Sequence, residues 1–195
     1  MLQPDQQHSG AEARGPARSA AGRGRIAPRH VDPAAVASRL ASVVHWPGAL
    51  QARERSWRMV ARTPDFDAWL IAWPCGGTVE LHDHGSSRGA LRVISGSLVE
   101  TIPWRDDEGG VTLARQEVHT GVTRAFGVGH VHDVSNESPA HALSLHVYSP
   151  ALTSMTYYDR LDGRLVPRDA AWDPLHDEPG LVPSTDSQGL RLVAP

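Results

Sequence analysis

From Ser56 onward, short apolar-rich runs alternate with breaks rich in Gly, Pro and Asp. The runs are "SWRMVAR", "DAWLIAWP", "GTVEL", "ALRVISGSLVETI", "VTLARQEV", "TRAFGV", "HDVSN" and "HALSLHVYSP". Their length and period-two character predict strands, and their number and spacing predict a sandwich or barrel rather than a parallel α/β sheet. Ahead of them, Asp32-Pro33 followed by "AAVASRLASVV" supplies a cap, a proline at the first helical position and apolar residues at helical spacing. That pattern predicts one short amphipathic helix over 33–44. After Pro150, "MTYYDRLDGRLV" predicts a hairpin turning at Asp162-Gly163. Residues 1–30 hold almost nothing to bury and are expected to be a disordered tail; 31–165 form the folded unit, and 166–195 a Pro- and Asp-rich C-terminal tail.

Composition narrows the function. The 195 residues suit one domain with tails. A formal net charge of −3 offers no field for nucleic acid or a membrane surface. No apolar run is long enough to span a bilayer, and the N-terminus has no apolar secretory core. Cys75 is the single cysteine, so no internal disulfide forms, which fits a reducing cytoplasm. We expect a cytoplasmic monomer, with Cys75 in "WPCGG" as a turn residue.

Eleven histidines are many for this length. In "ELHDHG", His82 and His84 are two apart, so in an extended chain they face the same side and Asp83 faces away. Neutral imidazole suits divalent iron, nickel or zinc. His132, about fifty residues on, is the natural third ligand. In "HALSLHVYSP", Leu143, Leu145 and Val147 share one face, and Ser144, His146 and Tyr148 the other. If the apolar face packs outward on a second layer, the polar row lines the interior. There its members satisfy one another and orient the tyrosine hydroxyl.

The first histidine block reads Gly76-x5-His82-x-His84, with Gly96 twelve residues later. The second reads Gly121-x5-Gly127-x-Gly129-x2-His132-x3-Asn136. Together they resemble the two signature motifs of the cupin superfamily, which implies a mainly β fold, a small antiparallel barrel of jelly-roll type, here with a short N-terminal helix. Two positions depart from the pattern: Gly127 stands where Pro is usual, and Gly89 where a metal-binding Glu is usual. The ligand set is then three neutral histidines, which leaves the metal's charge and one open face for an incoming anion.

"LHDHGSSRGALRVISGSLVET" followed by "HDVSNESPAHALSLHVYSP" is similar to the thiol dioxygenase branch of the cupins, and within it to bacterial cysteine dioxygenase, type I. The resemblance covers roughly residues 34–160. It implies iron(II) on His82, His84 and His132, and Ser144, His146 and Tyr148 as the catalytic row. It also implies addition of both atoms of O2 to a small thiol to give a sulfinic acid. Animal members crosslink a cysteine to the active-site tyrosine; the matching position here is Gly89, so that crosslink is not expected.

The family holds the substrate carboxylate with an arginine on an earlier strand, in a Tyr-x-Arg-like context. If Trp57 replaces the tyrosine, the arginine position falls on Met59; a shift of one gives the role to Arg58. Alternation keeps Trp57 and Arg58 on opposite faces unless a bulge intervenes. Arg58 is the expected substrate residue, Arg88 an alternative, and Arg62 a solvated strand residue. The leading expectation is an L-cysteine dioxygenase. The rivals are a dioxygenase of another mercapto-acid such as 3-mercaptopropionate, and a metal-binding cupin without turnover.

Overall fold

The structure is a computed structural model and describes residues 31–43, 46, 53–105, 107 and 110–168. The expected tail over 1–30 and most of the one over 166–195 lie outside the described residues. Helix α1 spans Pro33–Val43, and the last position of the predicted span, 44, lies outside the described residues. The strands follow as β1 (Ser56–Arg62), β2 (Asp67–Trp73), β3 (Thr78–His82), β4 (Arg88–Ser95), β5 (Ser97–Arg105) and β6 (Val111–His119). After them come β7 (Thr123–Phe126), β8 (His132–Ser135), β9 (Ala142–Ser149), β10 (Tyr157–Leu161) and β11 (Arg164–Arg168). The predicted hairpin at Asp162-Gly163 joins the last two, and β11 runs across the expected boundary at 165.

Every strand pairing is antiparallel, in two sheets of order β1-β2-β9-β4-β7 and β11-β10-β3-β8-β5-β6. They face each other without closing into one continuous barrel, in an arrangement that fits the cupin expectation. The run "ALRVISGSLVETI" divides at Gly96, where the chain leaves the first sheet for the second. Gly96 has φ +76, and a Cβ there would lie 2.8 Å from the His141 carbonyl oxygen, so only glycine fits the crossing.

Strand β9 lies at the centre of the first sheet, between β2 and β4, and all eight of its residues are buried. Its outward residues Leu145 and Val147 pack with Ala68 and Ala90 beneath Ala37 of α1. Small side chains at the three alanines let the helix approach the sheet closely. The inward face meets the main core, which includes Trp69, Trp73, Leu91, Val134 and Tyr148. The helix is thus the outer layer that the alternation of β9 required, and it frees the opposite face for polar chemistry.

Candidate active site

His82 ends β3, and His84 lies just beyond it. His132 opens β8 directly opposite His82 in the ladder. A register shift between Val79 and His82 inserts one extra residue into β3. Without it, residues three apart would face opposite ways; with it, Val79 and His82 both point inward, opposite Val134 and His132. Asp83 faces away as expected. Its carboxylate accepts the Gly85 amide (2.9 Å) and the Tyr158 hydroxyl (2.7 Å), so β10 anchors the loop that carries His84.

The three histidines are buried, and their ligand nitrogens lie within 4.8 Å of one another. Hydrogen bonds orient two of the rings. His82 Nδ1 donates to the Glu80 carbonyl (2.7 Å), and His132 Nδ1 donates to Glu100 Oε1 (2.7 Å). A carbonyl and a carboxylate only accept, so both rings carry the proton on Nδ1 and keep an Nε2 lone pair. His132 Nε2 and both nitrogens of His84 are buried without a hydrogen-bond partner. Orphaned buried lone pairs are costly unless something binds them. Burial first, and then the charge a neighbouring imidazole would bring, hold His82 and His84 well below the ordinary histidine value. Burial lowers His132 as well, against the pull of Glu100. All three stay neutral at pH 7, which is the ligating form, and the donor set fits a metal cofactor.

Ser144, His146 and Tyr148 form a hydrogen-bonded row. Ser144 Oγ lies 2.9 Å from His146 Nε2, and His146 Nδ1 3.3 Å from the Tyr148 oxygen. Trp73, not anticipated from sequence, starts the row by donating its indole N–H to Ser144 Oγ at 2.8 Å. Ser144 Oγ accepts from the indole; with His146 protonated on Nδ1, Ser144 gives its own proton to Nε2 and Nδ1–H faces the phenol oxygen, whereas the opposite tautomer has Ser144 accept twice and the phenol donate to Nδ1. Burial, then the charges of His132 and Arg55, lower His146 to about 3, so it stays neutral in this role.

Tyr148 and His146 line a small cavity of about 50 Å³, together with His82, Trp57, Trp73 and Arg55. Arg58 is not among the lining residues. It is exposed on the outer face of β1, opposite Leu70, and the expectation that it binds substrate is corrected here. Alternation decides this: Trp57 and Met59 point inward, and the bulge in β1 falls after Met59, too late to turn Arg58. Arg55, two residues before Trp57, is the cation that reaches the cavity. Its guanidinium lies 4.8 Å from the Trp57 ring centroid and 5.6 Å from that of Trp73. Arg88 and Arg62 are exposed; Arg88 lies beside a different depression, near Gly89 and Asp32.

Gly89 sits opposite Tyr148. A Cβ there would meet the Phe126 ring at 2.4 Å and Tyr148 Cδ1 at 3.0 Å. Phe126 therefore fills the space a crosslinking side chain would need. Its ring is stacked between His84 (4.9 Å) and His130 (5.2 Å), so it has no room to yield. Gly89→Ala is expected to cost about 1–3 kcal/mol through overpacking. In a Phe126→Ala background most of that cost should vanish. Urea unfolding of the two single variants and the double variant measures the coupling; additive effects would mean that the two positions do not compete for space.

Sequence reasoning also missed Glu100. This residue is buried, and its carboxylate meets His132, His130 and Arg124. The available signal was an acid on the inward side of β5, in step with the buried Leu98.

The chain is similar to known proteins over part of its length. The chain is 28% identical over 106 residues to cysteine dioxygenase type 1 of Danio rerio, covering 50% of this chain and 52% of that protein. It is 27% identical over 105 residues to the Homo sapiens protein of the same name, with the same coverage. The chain thus spans about half the length of the curated relatives it matches. Among solved structures, a cupin superfamily protein of Desulfitobacterium hafniense aligns with TM-score 0.42 and 14% identity, over 51% of this chain and 83% of that one. The family model for cysteine dioxygenase type I matches residues 37–161, well over half of the chain, and the protein belongs to that family.

Proposed function

We propose that the protein is an iron(II)-dependent thiol dioxygenase that converts L-cysteine to cysteine sulfinate, with His82, His84 and His132 as the metal ligands. The observation that carries this reading is the set of unpartnered, neutral imidazole nitrogens beside a cavity that also holds one cation and an oriented phenol. Iron(II) bound there supplies a redox-active centre at which a thiolate and dioxygen meet. In the net reaction, a thiolate and one O2 become a sulfinate, with both oxygen atoms on sulfur and no other oxidant consumed. Arg55 offers the substrate carboxylate a guanidinium fork, preorganised by the two indole faces it rests on. Tyr148, its oxygen filled by His146, acts as a donor toward negative charge developing on the oxygen atoms. Ser144 and Trp73 hold His146 in the tautomer this requires.

The test is turnover of cysteine by iron-loaded protein under ¹⁸O2, with the sulfinate expected to carry two heavy oxygens. No oxygen uptake with any small thiol would reject the proposal. Arg55→Ala is expected to lower kcat/KM for cysteine by roughly 10–100-fold, the equivalent of one charge-assisted contact. Cysteamine, which lacks a carboxylate, should show no such drop. An unchanged kcat/KM for cysteine would remove Arg55 from the clamp.

A second reading takes a mercapto-acid without an amine, such as 3-mercaptopropionate. It is favoured by the cavity wall: among the described lining residues none is acidic, and Trp57, Ile71, Leu152 and Met155 make much of the surface apolar. Relative kcat/KM across thiols separates the two readings.

A further inference from the structure

We infer that Glu100 is a positioning residue of the metal centre. It fixes the His132 ring and supplies, one hydrogen bond behind the ligand, the negative charge that the ligand set itself lacks. This rests on the three-histidine cluster being the metal site.

The geometry is specific. Glu100 lies on β5, across the ladder from Val134 and two positions along β8 from His132. Its Oε1 accepts the Nδ1 proton of His132 at 2.7 Å, which leaves Nε2 to face the other two imidazoles. The same oxygen lies 3.4 Å from His130 Nε2, and Oε2 lies 3.4 Å from Arg124 Nε. The carboxylate side chain is only 2% exposed. Holding a ring in one tautomer needs no charge, since a backbone carbonyl does that for His82. A buried carboxylate costs several kcal/mol in desolvation, which Arg124 and the two imidazoles offset only in part in the metal-free protein. The use of that charge is electrostatic. The proposed inner set is three neutral rings around a divalent ion. A carboxylate hydrogen-bonded to one ring raises its basicity and lowers the net charge of the centre, yet occupies no coordination position. The open face stays available to thiol and dioxygen.

Glu100→Gln retains an acceptor for His132 and removes the charge. Iron(II) affinity, measured by competition with a chelator, is expected to weaken by about 10–100-fold. The iron(III)/iron(II) potential should move to more positive values. Glu100→Asp, which restores the charge, should recover part of both effects. Arg124→Gln strips the counter-charge from the partly exposed side and should shift affinity the opposite way, toward tighter binding. That variant also serves if Glu100→Gln does not fold. Iron affinity within twofold of the parent in Glu100→Gln, or in Arg124→Gln where the first does not fold, would overturn the inference. So would two irons per chain, because Glu100, His130 and His132 would then be a second ligand set. His132→Ala separates the two levels of the argument. If it keeps full iron, the metal reading fails and this inference with it; if it loses iron while Glu100→Gln does not, only this inference fails.

Discussion

His84→Ala is expected to yield a folded protein that retains no iron at the histidine cluster and has lost thiol oxidation by roughly 10³-fold or more. A metal contributes several kcal/mol of charge stabilisation, and each 1.4 kcal/mol is a factor of ten. Two neutral imidazoles hold a divalent ion far more weakly than three. The fold should survive for a separate reason. In the metal-free protein, His84 is a buried ring with both nitrogens unpartnered, packed 4.9 Å from Phe126 and 4.8 Å from Tyr148. Removing it opens a cavity but also removes orphaned polar atoms, which cost about 1–3 kcal/mol when buried. The two effects oppose, so the metal-free variant should unfold within a few degrees of the metal-free parent. Iron content, oxygen uptake and thermal unfolding check the three parts. Full iron occupancy in the variant would sink the assignment of His84.

The metal-free protein should also be strongly acid-labile. His82 and His84 lie well below the ordinary value near 6.5, His132 is lowered, and His146 is held at about 3, in each case chiefly by burial. Below pH 6.5 the unfolded chain takes up protons at these positions and the folded one does not. The stability they contribute is therefore complete above 6.5 and is lost as pH falls from there toward 3. His146, held at about 3, costs about 2 kcal/mol by pH 5, and the three lowered histidines of the cluster act in the same direction. Asp67 works in the opposite sense. Burial raises it from 3.8 to about 6, so its contribution is complete below 3.8 and lost as pH rises through 6. It offsets only about 1 kcal/mol at pH 5. Urea midpoints of metal-free protein between pH 8 and 5 should fall steeply below 6.5, and His146→Leu should flatten the slope by one proton. A level profile from pH 7.5 to 5.5 would contradict the burial of neutral rings.

Much of this molecule was legible from its letters. The alternation in "HALSLHVYSP" announced which side of β9 meets the helix and which the cavity, because both faces are buried and each demands its own chemistry. Spacing alone paired His82 with His84 and pointed to His132. Other features depended on partners that only folding supplies. Nothing in "ALRVISGSLVETI" says that the chain changes sheets at Gly96; the nearby His141 carbonyl makes that glycine necessary. Glu100 is in step with Leu98 along β5, but its contact with His132 appears only once β5 and β8 pair. Arg55 lies two residues before Trp57, on the same side by alternation, but just ahead of β1, where no strand pattern marks its direction. The Arg58 expectation failed on a rule already in hand, since no bulge lies between it and Trp57.

The register shift in β3 has a consequence for how this stretch varies among relatives. Glu80 is exposed; its carboxylate pairs with Arg168 at the surface, and it serves His82 through its backbone carbonyl. Losing one residue between Val79 and His82 would leave them two apart, in regular pairing with Val134 and His132, and both would still face inward. What the extra residue adds is local: Glu80 is out of the ladder, and its carbonyl is there to hold His82 Nδ1. A relative with a single-residue gap at this point would keep the direction of His82 and lose that hold on its ring.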